Sequence, residues 1–184
     1  MMLVMVLVLS ELLVSDVTAD VALNRALENR KTRIETDQGQ SLDKPGVLGK
    51  GPCANGWLHF PYLLTCFQFV PQAKTWIEAE LYCQGLSRGG HLASIHWNRQ
   101  NEFIGQVILT KNNASPPSWI GLSQSHKEWV FLWNDGSSLD FTNWDVNQPD
   151  DYQGKQKCVQ IDRDVWNDQP CDNQKPFICS YTLH

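Results

Sequence analysis

Six cysteines constrain this chain more than any other feature. Cys53, Cys66, Cys83, Cys158, Cys171 and Cys179 are even in number and widely spaced, and none precedes Cys53 in a chain of 184 residues. That pattern reads as a disulfide framework made in an oxidising compartment, because reducing cytosol does not preserve such bridges. The pairing is open at this point, since six thiols join in many ways and counting does not choose among them. Zinc is a poor fit, because the cysteines lack the short paired spacing of a zinc site.

The N-terminus agrees with export. Leu3 to Leu9 is a short apolar run, extended by Leu12, Leu13 and Val14, and Val17-Thr18-Ala19 sets small residues ahead of a cut after Ala19. Residues 1–19 therefore read as a secretory signal peptide, although Glu11 interrupts the run and no Lys or Arg precedes it. The mature protein is expected to be secreted and extracellular. No other apolar stretch approaches the ~20 residues that a spanning helix needs, so no membrane span is expected. Residues 20–51 are polar and lack aromatics, and Gly and Pro gather towards the end. Leu23, Leu27 and Ile34 recur at helical spacing, but a flexible leader or propeptide is the simpler expectation. Net charge is −5 with no basic block, which argues against a nucleic-acid partner.

The domain proper spans 52–184. Trp57 to Val70, aromatic and β-branched around Cys66, predicts a hairpin. Thr75 then opens a helix: Thr75 and Glu78 form a capping box, and Trp76, Ala79, Cys83 and Leu86 share one face. Gly85 and Gly89-Gly90 end it. A short buried segment with Leu92 and Ile95 leads to a second helix capped around Asn98, with Phe103, Ile104, Val107 and Ile108 turned inward. Trp119 to Leu122 and Trp129 to Trp133 predict compact strands, the second closing at Asn134-Asp135-Gly136. Phe141 to Gln156 has little periodicity and predicts a long loop, a kind usually functional in compact domains. Cys158 to Ile161 and Phe177 to Cys179 read as closing strands. The fold class is α+β, stapled by disulfides.

Between Gln148 and Asp168 lie four oxygen-bearing side chains in two clusters: Gln148 and Asp150 flanking Pro149, and Asn167 and Asp168 after Trp166. A hard divalent cation wants such a set, since calcium takes six to eight oxygens from carboxylates, amides, carbonyls and water. Taken alone, Asn and Asp beside Trp166 also suit a turn or a strand end. No nucleophile motif, zinc helix or Gly-rich phosphate loop is present, so catalysis is not expected.

Together these residues resemble the C-type lectin-like domain family. The match rests on Trp57, the Trp76 to Cys83 helix, Trp119-Ile120-Gly121-Leu122, Asn143-Trp144, Gln148-Pro149-Asp150, Trp166-Asn167-Asp168, Cys171 and Phe177-Ile178-Cys179. Within the family the chain looks like small secreted fish lectins and type II antifreeze proteins. The resemblance implies two helices with small antiparallel sheets and a long ligand loop, and the pairings Cys53–Cys66, Cys83–Cys179 and Cys158–Cys171. It implies one calcium ion on that loop, held by Gln148, Asp150, Gln156, Asn167 and Asp168, which bind carbohydrate together with Tyr152. The order Gln148, then Asp150, resembles galactose-type members, with terminal galactose or related glycans as the ligand. Pro149 is expected to be cis. A shallow site implies that subunits associate, as a homo-oligomer, to reach useful binding.

Two departures bear on this. The family usually carries glutamate where this chain has Gln156, which leaves Asp150 and Asp168 as the formal charges on the ion and implies weaker affinity. Asp151 is near enough in sequence to make up the charge. A second family calcium position is depleted, with Gln124 where aspartate is common and Glu128 and Asp151 remaining. The rival function is a sugar-independent module of the same fold, such as an ice-binding antifreeze protein.

Overall fold

The computed structural model describes residues 51–126 and 129–183. The expected signal peptide and nearly all of the leader lie outside the described residues, as does Glu128. In chain order the elements are β1 (Leu58–Phe60), β2 (Thr65–Lys74), α1 (Trp76–Leu86), β3 (His91–Leu92), α2 (Asn98–Lys111), β4 (Ser118–Gln124) and β5 (Phe131–Trp133). A single 3-10 turn (Tyr152–Gly154) precedes β6 (Cys158–Asp162), β7 (Val165–Gln169) and β8 (Lys175–Thr182).

The strands join edge to edge in the order β1-β2-β8-β4-β6-β7, with β3 added to β8 and β5 to β4. Every pairing is antiparallel except one: Trp119 of β4 meets Phe177 of β8 in parallel. The small antiparallel sheets expected from the resemblance are thus one mixed sheet joined at that point. Both strands arrive there as buried runs, which suits a parallel contact covered on both faces.

Local chemistry explains the helices. Thr75 accepts the Glu78 backbone N–H, and the Glu78 carboxylate accepts the Thr75 N–H, so the capping box of α1 is complete. Trp76, Ala79 and Cys83 are buried as expected, but Leu86 is exposed, and buried Glu80 takes its place facing the domain. The helix also runs through Gly85 and stops after Leu86. Glu80 is tolerated inside because donors surround it: Leu92 N–H at 2.8 Å, His91 Nδ1 at 2.7 Å, Gln84 Nε2 at 2.6 Å and the Asn134 amide. In α2 the cap position is Trp97 without a side-chain bond, and Asn98 is the first helical residue, donating to Glu102. The reason is i, i+4 pairing, which competes for the Asn side chain.

Three disulfides staple the domain: Cys53–Cys66, Cys83–Cys179 and Cys158–Cys171. The second ties α1 to β8 across a sequence separation of 96. Closing so long a loop in the unfolded chain is valued at ~4 to 5 kcal/mol in the chain-entropy picture. The third anchors the end of the long loop, since Cys158 opens β6 and Cys171 follows β7.

Two differences concern the region that holds the loop. Trp166-Asn167-Asp168 is not a turn but the middle of β7, paired with Ile161, Gln160 and Val159 of β6. Trp129 and Val130 fall outside β5 and are exposed, and Trp129 has φ of 63°, a left-handed conformation that ends a strand.

Trp166 is the packing hub of this end. Its ring stacks edge-on against Trp133, Phe141 and Trp144, with centroids 5.6, 5.6 and 5.8 Å away. Its indole N–H donates to Asn101 Oδ1 at 2.7 Å, and the Asn101 amide donates to the Asp164 carbonyl at 2.6 Å. Asn101 is fully buried. Asn101→Ala should leave the indole N–H without a partner, while the Asp164 carbonyl keeps the Asn143 amide, at a cost of about 1 to 3 kcal/mol. Urea denaturation of the purified domain measures it, with a shift in midpoint and no change in slope.

Candidate functional site

The long loop leaves the sheet at Asn134 and returns at Cys158, and it is laid down on β7 before it reaches the ligand residues. Trp166 N–H donates to the Asn143 carbonyl and Asp145 N–H donates to the Trp166 carbonyl, both at 2.8 Å, so Trp144 bridges Trp166 in parallel. The Asn143 side chain also donates to the Asp164 carbonyl. These bonds fix where the chain stands when it turns at Asn147, whose φ is 64°. Gln148–Pro149 is cis.

From there the two sequence clusters meet. Asp168 is fully buried, and its carboxylate accepts the backbone N–H groups of Asp150 at 3.1 Å and Asp151 at 2.8 Å. The Asp150 carboxylate accepts the Tyr152 N–H at 3.1 Å, and so does Gln156 Oε1 at 2.9 Å. Asp150, Gln156 and Asp168 are thereby gathered on one small network. Gln148 Oε1 is buried and has no hydrogen-bond partner. An unpaired buried oxygen is expensive, and it asks for a donor or a cation. Asn167 stands apart: burial alternates along β7, with Trp166 and Asp168 inside, and Asn167 Oδ1 takes only a long 3.4 Å bond from Gln169 among the described residues. Tyr152 is 64% exposed at the tip, its ring open to solvent.

The donors suit a hard cation in kind. All are oxygens, and two are carboxylates. Among the described residues no group of three or more His, Cys, Asp or Glu converges as a metal cluster, so the set leans on its amides. Asp151, near enough in sequence to make up the charge that Gln156 lacks, has partners within the chain. Its carboxylate accepts the Gln156 N–H at 3.0 Å and is ion-paired with the Lys157 ammonium, so both oxygens are already engaged.

Residues 72–181 match the family model of the lectin C-type domain. The chain belongs to the C-type lectin family. A lectin from Pleurodeles waltl is 38% identical over 149 residues, covering 79% of this chain and 84% of that one. The fold is similar to the C-type carbohydrate-recognition domain of cow CD23, whose structure was determined in the presence of a GlcNAc2Man3 oligosaccharide. That likeness has a TM-score of 0.63 at 30% identity, over 72% of this chain and 97% of that domain. It is also similar to a calcium-independent type II antifreeze protein, with a TM-score of 0.62 at 29% identity over 71% of this chain and 94% of that one. C-type lectins are carbohydrate-binding rather than catalytic proteins. Among the described residues no helix is long and apolar enough to cross a membrane.

Two supports of this loop were not foreseen from the sequence. Asn101, which holds Trp166, sits three residues before Ile104 on the inward face of α2, and a polar residue on an apolar face was the available signal. The Lys157–Asp151 pair left none, because spacing inside a loop does not say which side chains meet.

Burial pushes the Asp168 carboxyl above its ordinary value and the charge of Asp150 adds to this; the accepted N–H groups of Asp151 and Asp150 pull down without cancelling it. The folded chain therefore holds this proton more tightly than the unfolded one. That contribution to stability is complete below the unfolded pKa of about 3.9 and is lost as pH rises through the raised folded value. In chelator, the stability profile should fall over the pH range just above ordinary carboxylate titration, and Asp168→Asn should flatten it there. Denaturation at stepped pH reads the difference in slope.

Proposed function

We propose that this domain is a secreted, calcium-dependent lectin for terminal galactose or related glycans. The observation that carries the reading is the meeting of the loop and β7: Asp168 accepts the backbone N–H of Asp150, and Gln148 Oε1, two residues before it in the chain, is buried without a partner. Gln148, Asp150, Gln156, Asn167 and Asp168 would hold the ion. Bound calcium would supply a positive centre that draws a lone pair from each of two neighbouring sugar hydroxyls. The chain's own groups then sort hydroxyls by direction. A carboxylate can only accept a hydroxyl proton, whereas an amide can donate its N–H to the hydroxyl oxygen. Gln148 and Asp150, an amide followed by an acid, therefore favour one arrangement of paired hydroxyls over its mirror.

Tyr152 offers an exposed ring to the apolar face of galactose, and its hydroxyl tolerates a wet surface. With only two formal charges on the ion, calcium affinity is expected to be modest. An open site also buries little of its ligand, so several domains acting together would provide avidity, as a homo-oligomer.

A second reading draws on the likeness to an antifreeze protein and on Gln156, whose oxygen is occupied by the Tyr152 N–H. On that reading the loop is a sugar-independent surface, such as one that meets ice. Thermal hysteresis of the purified protein separates the two.

On immobilised galactose the mature protein should be retained with calcium and released by chelator, and retention that ignores chelator would end the metal-mediated reading. Tyr152→Ala should weaken retention by about three- to tenfold, the value of one stacked ring. Gln148→Glu combined with Asp150→Asn should move preference towards mannose-type sugars. Equal preference for galactose before and after the swap would mean that these side chains do not set specificity.

A further inference from the structure

The tip of the ligand loop adopts a conformation that side-chain-bearing residues seldom hold. Asn147, Asp151, Gln153 and Gly154 have φ of 64°, 43°, 58° and 71° within eight residues of chain. Such backbone persists only where its surroundings over-determine it. Here the restraint is polar. The N–H groups of Asp150, Asp151, Tyr152 and Gln156 each donate to a side-chain oxygen of the same loop or of β7. The Asp168 carboxylate takes the backbone of Asp150 and Asp151, and among the described residues the cation paired with this stretch is Lys157. The Lys157 ammonium is paired with Asp151, whose side chain is only 14% exposed.

Lys157 is itself held from the other side. Its carbonyl accepts the Gln124 N–H of β4 at 2.7 Å, one residue before Cys158 is locked to Cys171. A continuous path thus runs from β4 through Lys157 and Asp151 to Asp168 on β7. The Lys155 ammonium, by contrast, is exposed and among the described residues reaches only Gln153, at 3.5 Å.

We propose that Lys157 is the positioning residue of the ligand loop, a covalently attached counter-ion that sets Asp150 and Gln156 in place before any metal arrives. Its ammonium neutralises Asp151 and lets the Asp151 carboxylate keep the Gln156 N–H. The shape of the loop therefore does not depend on a second bound cation beside Asp151. That this loop is the sugar-binding one rests on the function proposed above; the restraint by Lys157 does not.

Hydrogen exchange in chelator tests it directly. In the wild type the amides of Asp150, Asp151, Tyr152 and Gln156 should be protected without metal. Lys157→Met leaves a largely buried carboxylate unpaired and should speed their exchange by about tenfold or more, while amides shared by β2 and β8 keep their rates. Lys157→Arg should preserve protection. Asp151→Asn tests the same pair should Lys157→Met not fold, and the two changes together should cost little more than either alone. Unchanged exchange in Lys157→Met, or fully additive effects in the double variant, would overturn the proposal. Calcium titration of the wild type separates the two readings. A protein that binds no calcium yet shows Lys157-dependent protection supports the positioning role and removes the calcium-dependent lectin.

Discussion

Everything at the ligand end of this domain depends on how Trp166 is held. A buried indole satisfies two demands at once: its ring fills the space between Trp133, Phe141 and Trp144, and its N–H must find an acceptor away from water. Asn101 is that acceptor, and its own amide is spent on the Asp164 carbonyl beside β7. The long loop then hydrogen-bonds to the backbone of Trp166 on both sides of Trp144. A stretch that would otherwise cost much conformational entropy to order is thus tied to a strand that cannot move without opening the core. Asp168, two residues on and facing the same side, inherits that rigidity.

A similar logic governs the other buried acid. Glu80 lies inside a helix face that periodicity reserves for apolar residues, and four donors from three separate parts of the chain converge on it. The two carboxylates perform the same mechanical task by different means. Glu80 locks α1 to β3 and to the turn after β5, and Asp168 locks the loop tip to β7. In each case a charge that would be intolerable alone becomes a multi-point clamp, because backbone and amide N–H groups surround it.

How much of this could be read beforehand follows from the range of the interactions. The α1 cap, the hairpin at Trp57 and the inward face of α2 were legible because they are set within a turn or two of chain. The long loop was legible as an absence of period. The ligand residues proposed for it rest on a resemblance that spans the whole domain, and the pairing of cysteines came from that source alone. What stayed hidden was set at long range. Trp166-Asn167-Asp168 suits a turn by composition, and only the ladder with β6 makes it a strand. Leu86 fits the apolar face of α1 by spacing, but the last turn of the helix has run past the sheet it packs on. Spacing also gave no sign that Asp151 pairs with a lysine six residues on.

That ion pair bears on what such a loop needs from a cation. A loop that is unstructured without its cation must draw its ordering from the binding energy, so it needs many charged ligands to reach a useful affinity. A loop already shaped by a core tryptophan, a disulfide at Cys158 and an internal ion pair needs the cation only for the ligand. Preorganisation lowers the cost of binding rather than adding contacts. An amide such as Gln156 can then stand where a carboxylate would be expected, since the donors do not also have to fold the loop around the ion. On the function proposed, that amide suits a site whose geometry is set by the chain itself.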